Sequence, residues 1–337
     1  MEIAGTCEPF EIDAAADVGA VRRRIAALAA EVGLGESRAG DAALIATELG
    51  SNVIKHAGRG GALVGGAHDG DRRGVAIAVW DRGPGMNVEA SLRDGVSTAG
   101  TRGAGLGAVA RIATRFDAYA RPGRGSVVIA TVLDGGGDRA ASGRFAIGGL
   151  CVPYPGLQVC GDAWDAHVDG DRATILACDG LGHGDGAAAA AAAVIAAFRA
   201  APGAELPAIL ERGDRAARST RGAAATVVRL DLARRELAVA GVGNVAAWLV
   251  GDTARQLVTQ HGTLGQAMPS HIREERHAVR PGALVVLCSD GLKSRWSLDD
   301  HAGLAERDPA TIAAVLWRDF ARGRDDASVV VVREAGR

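Results

Sequence analysis

Four acidic positions far apart in the chain each stand where an apolar run begins or ends. They are Asp162 in CGDAWD, Asp179 in CDGLGHG, Asp290 in CSDG, and the pair Asp325 and Asp326 in RDDASVVVV. Carboxylates gathered from separate sheet edges give the all-oxygen surroundings that hard cations such as Mg2+ and Mn2+ require. Two such ions about 4 Å apart can activate a water and clamp a phosphate monoester for in-line attack. A second set lies in the first half. Glu48 and Asn52 are four apart in a stretch with helical apolar spacing, so both project from one face, with Lys55 and His56 one turn further on. DRGPGM (81–86) follows a strand-like run, placing Asp81 at a strand end and Gly83 and Gly85 where the backbone must turn closely. GAGLG, with Gly103, Gly105 and Gly107, opens a helix whose free N–H groups can meet phosphate oxygens. Taken singly, such residues read as turn formers and solvated faces. Their order, at separations of roughly 30 and 20 residues in the first set, points jointly to a nucleotide site.

The elements that must hold these residues fall into two groups. Segments 17–32 and 37–56 carry apolar residues at helical spacing, 62–64 and 75–80 are strand-like, a helix is expected over 106–116, and two strands, 126–133 among them, close the group. This is an α/β sandwich with helices on one face of a mostly antiparallel sheet. Beyond it, strands are expected at 145–152, 173–178, 224–231, 236–242, 246–250, 283–289 and 328–332, with helices at 186–200, 206–219 and 309–323. Many strands with a few long helices suggest a β-sandwich flanked by helices, so the fold class is α+β in two domains. The break falls in DGGGDRAASG (134–143), between two apolar runs, giving domains 1–133 and 145–337 joined by a linker at 134–144.

A chain of 337 residues is long enough for two cores, and 48% hydrophobic with 23% charged residues is a globular composition. The net charge of −2 leaves no electrostatic footprint for nucleic acid or anionic lipid, so neither partner is expected. The acidic first 17 residues lack the basic and apolar regions of a signal peptide, and the longest apolar run, 187–198, is too short to span a bilayer. A cytoplasmic location follows as the expectation. The five cysteines form no C-x-x-C pair and read as reduced structural thiols.

The E-x-x-x-N, D-x-G-x-G and G-x-G-x-G elements together resemble the GHKL (Bergerat-fold) ATPase superfamily over essentially 17–133. That resemblance implies ATP and Mg2+ as cofactors, with Asn52 on the metal and Asp81 accepting from the adenine amino group. Gly83 and Gly85 would shape the base pocket, Gly103, Gly105 and Gly107 would form the phosphate lid, and Gly125 and Ser126 would stand for the last motif. DGVSTAGTRGAGLGAVAR (94–111) looks most like the small kinases that phosphorylate STAS-domain regulators, in particular the RsbT-like switch kinase of the stressosome. Glu48 would then be the general base. The order G-D, D-G-x-G-H-G, S-D-G, D-D-x-S resembles the PPM phosphatases of the SpoIIE branch, RsbX-like members above all, over about 145–333. It implies two Mn2+ or Mg2+ ions. Asp179 would bridge both, the Gly180 carbonyl would hold one, and Asp290 with Asp325 or Asp326, Asp325 being favoured, would hold the other. Asp162 would contribute directly or through water. The implied partner is a STAS-domain antagonist or stressosome scaffold, with a sigma factor or a downstream phosphatase or cyclase as further candidates. An anti-sigma binding module carrying a regulatory phosphatase is the alternative reading. His56 and the run Arg22, Arg23, Arg24 are expected to be structural or solvated, Thr226 and Asn244 to serve core or turn, and His183 either to approach a phosphate or to cap its loop.

Overall fold

The apolar stripes that predict the first two helices, Val18, Val21, Ile25, Ala29 and Ala42, Ile45, Ala46, Leu49, Val53, are buried in α1 (Ala15–Glu31) and α2 (Glu36–Ala57) of the computed structural model, which describes residues 2–92, 105–135 and 143–336. Asp17, in the first turn of α1, accepts from the backbone N–H of Ala14 at 2.8 Å and caps the helix start. Gly50 lets α1 approach α2, since a Cβ there would stand 3.0 Å from Val18 Cγ1. Around these helices the chain forms β1 (Glu2–Ile12), β2 (Gly60–Asp69), β3 (Arg72–Asp81), α3 (Val88–Leu92), α4 (Leu106–Ile112), β4 (Arg115–Arg121) and β5 (Gly125–Leu133). The strands lie in the order β1-β2-β3-β5-β4, each antiparallel to its neighbours. Alternate residues Val75, Ile77 and Val79 on β3 and Val128, Ala130 and Val132 on β5 face the helices in one core, as period-2 geometry requires.

Two local expectations differ from this. The helix expected over 106–116 ends at Ile112, and Arg115 begins a strand paired with β5. Thr114 makes the break: its N–H donates to Thr131 O at 2.7 Å, and its hydroxyl accepts from Leu133 N–H at 3.0 Å and from Arg38 at 2.6 Å. Strand β1 has no counterpart among the expected elements: Pro9 and Gly5 disfavour a strand interior, yet Pro9 pairs opposite Leu63 and the register shifts between Ala4 and Glu8.

The later elements are β6 (Phe145–Val152), β7 (Asp162–Asp169), β8 (Arg172–Gly180), α5 (Asp185–Arg199), α6 (Leu206–Ala217), β9 (Ala223–Asp231), β10 (Glu236–Val242), β11 (Ala246–Val250), β12 (Ala254–Leu257), β13 (Glu275–Ala278), β14 (Leu284–Cys288), α7 (Pro309–Phe320) and β15 (Ala327–Glu334). Two antiparallel sheets form, β12-β11-β14-β15-β6 and β13-β10-β9-β8-β7. Ile175 and Val228 of one meet Val285 and Val330 of the other in the core between them. On the outer face of the second sheet, Leu176 and Val227 pack against Val194, Phe198 and Leu210 of α5 and α6. The alanine-rich α5 comes close to strand β8, as its small side chains permit. A β-sandwich with flanking helices is the architecture the strand pattern predicts.

The chain divides into two compact units, Met1–Ala140 with Ala302–Arg318, and Ala141–His301 with Asp319–Arg337. The sequence-based division gave all of 145–337 to the second domain, whereas most of α7 clusters with the first unit. Its anchors there are specific. The buried Arg318 guanidinium donates to Asp81 O at 3.4 Å and Ser126 O at 3.3 Å. Trp317 meets Trp80 edge to face with ring centres 5.0 Å apart, and Asp308 N–H donates to Asp117 Oδ2 at 2.8 Å. Helix α7 is apolar on almost every side, so its sequence says that it is buried but not against which sheet. Among the described residues no helix is long and apolar enough to cross a membrane. All five cysteines are buried and none is in a disulfide, and burial pushes the Cys288 thiol up to about 12, consistent with inert packing.

Candidate functional site

In the first unit, α2 carries Glu48 and Asn52 one turn apart, both half-buried, their side chains with no hydrogen-bond partner among the described residues. Asp81 closes β3 and is 8% exposed, its carboxylate held from two sides. Oδ1 accepts from Gly83 N–H at 2.8 Å and Oδ2 accepts from the Ser126 hydroxyl. The glycines beside it are required by space. A Cβ on Gly83 would meet Ala57 Cβ at 2.7 Å, and Gly85, at φ 76°, would place one 2.2 Å from Arg121 O. Ser126, the least informative of the sequence motifs, is thus the residue that fixes the Asp81 carboxylate. Gly105 caps α4 and Gly107 is buried in it, while Gly103 lies outside the described residues. Lys55, His56, Arg22 and Arg23 are exposed, and Arg24 pairs with Glu8 at 2.6 Å, in keeping with a solvated face.

In the second unit the register of β7 and β8 sets Asp162 directly opposite Asp179. Asp290 follows β14 and Asp325 and Asp326 precede β15; these strands run side by side, with Cys288 opposite Val329. Asp326 joins the two sets, since a Cβ on Gly161 would lie 2.7 Å from its Oδ2. Its Oδ1 accepts from Tyr154 N–H at 2.7 Å, and Asp325 Oδ1 accepts from Asp326 N–H at 3.0 Å. Asn244 donates to Asp290 Oδ2 at 2.7 Å, an orienting contact that its place in GVGN did not disclose. Thr226 is buried and donates to Val245 O at 2.7 Å, a core role. His183 stacks on Tyr154 at 4.7 Å between ring centres. Gly180 has no room for a side chain, its Cβ position being 2.0 Å from Ala187 O.

The electrostatics follow from this crowding. Burial pushes the Asp179 carboxyl up to about 9, reinforced by the negative charge of Asp162, Asp290, Asp325 and Asp326. Asp162 is pushed up to about 7, again chiefly by burial, with Ser289 and Ser328 working in the opposite direction. Oδ2 of Asp162 and Oδ2 of Asp326 are buried with no hydrogen-bond partner. Buried carboxylate oxygens without donors, repelling one another, are a donor set suited to hard divalent cations. Among the described residues no three acidic, histidine or cysteine side chains close around one point. Mg2+ keeps several of its waters and needs only one or two protein carboxylates, so an open arrangement of this kind still fits it.

A stability consequence follows. Both carboxyls hold protons in the folded chain at pH values where an unfolded carboxyl, near 4, has lost them. The metal-free protein therefore gains stability as pH falls from above 9 through 7. Thermal melts of chelator-treated protein between these limits should show Tm rising toward lower pH, and added Mn2+ should raise Tm most at the alkaline end. A Tm indifferent to both would contradict this electrostatic description.

Comparison with known proteins agrees with both halves. Residues 11–132 match the family model described as a histidine kinase-like ATPase domain, and residues 169–334 match that of stage II sporulation protein E. The serine/threonine-protein kinase RsbT of Bacillus subtilis (strain 168) is 30% identical over 113 residues, which are 33% of this chain and 85% of that protein. A chain from work on "the bacterial stressosome: a modular system that has been adapted to control secondary messenger signaling" superposes with a TM-score of 0.53 at 26% identity, covering 57% of this chain and all of that one. RsbX in complex with magnesium gives a TM-score of 0.49 at 21% identity, over 56% of this chain and 96% of that one. With Asp81 clamped at one strand end and a carboxylate cluster at others, the chain belongs to the histidine kinase-like (GHKL) ATPase family of RsbT through its first part, and continues as a PPM-type phosphatase domain of the SpoIIE family.

Proposed function

We propose that the first unit transfers the γ-phosphoryl group of ATP to a serine or threonine of a STAS-domain regulator, and that the second removes phosphate from that protein or a related stressosome scaffold. The division of labour would be a kinase domain at 1–133, a linker at 134–144 and a phosphatase domain at 145–337. The observation that carries the reading is the gathering of carboxylates at neighbouring sheet ends, Asp162 opposite Asp179, Asp326 Oδ2 beside Gly161, and Asp290 and Asp325 at the ends of the paired β14 and β15, in a chain whose first unit belongs to the RsbT family.

In the kinase half, Asp81 accepts from the adenine amino group while Ser126 and Gly83 hold its carboxylate, and Gly85 shapes the pocket. Gly105 and Gly107, at the start of α4, present backbone N–H groups to the phosphates. Glu48 takes the proton of the acceptor hydroxyl as its oxygen bonds to phosphorus and ADP leaves. Mg2+ on Asn52 would neutralise phosphate charge. In the phosphatase half, Asp162, Asp179, the Gly180 carbonyl, Asp290 and Asp325 would hold two Mn2+ or Mg2+ ions, whose chemistry is to polarise the phosphate and supply a nucleophile from water near neutral pH. Asn244 orients Asp290, and Asp326 anchors its turn through Tyr154 N–H.

The test is intact mass of a purified STAS protein incubated first with MgATP and full-length protein, then with Mn2+ after nucleotide removal. Gain and subsequent loss of one phosphate is the expected result. No gain with any STAS protein tested refutes the kinase assignment; loss without gain leaves a phosphatase attached to a nucleotide-dependent binding module, the anti-sigma arrangement.

A further inference from the structure

Close to the second-unit site stands a cation that no carboxylate neutralises. Arg221 lies in the loop between α6 and β9, exposed, and its guanidinium has no ion-pair or hydrogen-bond partner among the described residues. Two other arginines of this unit are engaged: Arg218 pairs with Asp214 at 3.1 Å, and Arg199 pairs with Asp165.

Arg221 is held where it is by the loop that follows Asp179. A Cβ on Gly186 would stand 2.6 Å from its Nε and 2.7 Å from its Cζ, and one on Gly182, at φ 87°, would stand 3.3 Å from its Nη1. The guanidinium therefore occupies the space that two glycines of LGHGDG leave empty. Backbone contacts fix the base of the side chain. Gly222 O accepts from Leu181 N–H at 2.9 Å, Gly222 N–H donates to Thr220 Oγ1 at 3.1 Å, and Arg221 O accepts from the Gln266 amide. Ala223 and Ala224 pair across the sheet with Gly180 and Asp179, so Arg221 is two residues from the register partner of Gly180.

We propose that Arg221 binds the phosphate of the phosphorylated side chain at the mouth of the carboxylate site. The inference rests on the phosphatase reading above and adds a substrate-binding residue that the acidic motifs do not supply. The chemistry of the side chain suits this role, because a guanidinium offers paired donors that match two phosphate oxygens, and an unpaired one has no internal bond to break first. It also answers a charge problem, because a phosphate dianion must approach a cluster of carboxylates, and a fixed cation on the rim offsets part of that repulsion. The glycines at 182 and 186 then have a second purpose beside turning the chain, which is to seat this side chain.

The experiment uses full-length protein with Mn2+, measuring hydrolysis of a phosphoserine peptide and of p-nitrophenyl phosphate, and competitive inhibition by inorganic phosphate. Arg221→Ala should lower kcat/KM for both substrates by about 10- to 100-fold, the range for losing a charge-assisted hydrogen bond, and should weaken phosphate inhibition by a similar factor. Mn2+ affinity by calorimetry should stay within about twofold, which a general disturbance of the site would not allow. Arg221→Lys should restore part of the loss, since it keeps charge but not the paired donors. Gly186→Ala, which displaces the guanidinium without removing it, should shift phosphate inhibition in the same direction. Unchanged phosphate inhibition in Arg221→Ala overturns the inference while leaving the phosphatase reading intact. A wild-type protein that hydrolyses neither substrate overturns both.

Discussion

Asp179→Asn is expected to lower phosphate release by about a thousandfold or more, on the order of 4 kcal/mol of transition-state stabilisation at 1.36 kcal/mol per tenfold. Asn keeps the size of the side chain and so preserves the turn into Gly180, whose N–H donates to Gly161 O at 3.0 Å. What it removes is the charge that the other four carboxylates already disfavour. The variant should therefore melt at a higher temperature than wild type in chelator, and should gain less Tm from Mn2+. Loss of activity together with gain of metal-free stability separates a functional carboxylate from one that merely holds the fold. A variant that kept its activity, or lost both activity and stability, would remove Asp179 from the centre of the site. Phosphorylation of the partner protein by this variant should persist, and phosphate should accumulate on it.

Much of this arrangement was legible in the amino-acid order, for reasons visible in particular elements. Helices α1 and α2 were readable because their buried stripes run unbroken at three- and four-residue spacing from Val18 to Ala29 and from Ala42 to Val53. Strand β8 was readable because it is buried on both faces, between the sandwich core and α5. Strand β7, DAWDAHVD, was not, because only Asp162 in it is fully buried and no apolar alternation marks it; its pairing with β8 makes it a strand. The same holds for the site. Each aspartate could be named from its motif, but the opposition of Asp162 to Asp179 is a matter of register, and a register belongs to two strands at once. Gly161 carried no signal either. Its requirement comes from the Asp326 carboxylate, 165 residues away in sequence, at its would-be Cβ. Arg221 was unmarked because an arginine in a loop is ordinarily solvated, and only its seat over Gly182 and Gly186 distinguishes it.

Glu48→Gln is the complementary prediction for the first unit. Glu48 is half-buried on α2, one turn from Asn52, and accepts no hydrogen bond among the described residues, so the substitution disturbs no bond of the fold. If it receives the proton of the acceptor hydroxyl, its amide replacement should slow phosphate gain by about 10²- to 10⁴-fold, the usual contribution of a positioned general base. ATP affinity should change little, because the adenine end assigned to Asp81, Gly83 and Ser126 lies on β3, the turn after it and β5 rather than on α2. Asn52→Ala should behave differently, weakening Mg2+-dependent nucleotide binding as well as transfer. Equilibrium titration with a fluorescent ATP analogue, read beside single-turnover transfer to the partner protein, distinguishes the two variants. Transfer by Glu48→Gln at the wild-type rate would exclude Glu48 as the base. Neither substitution should alter Mn2+-dependent release of phosphate from a pre-phosphorylated partner, since Asp162, Asp179, Asp290 and Asp325 all belong to the second unit.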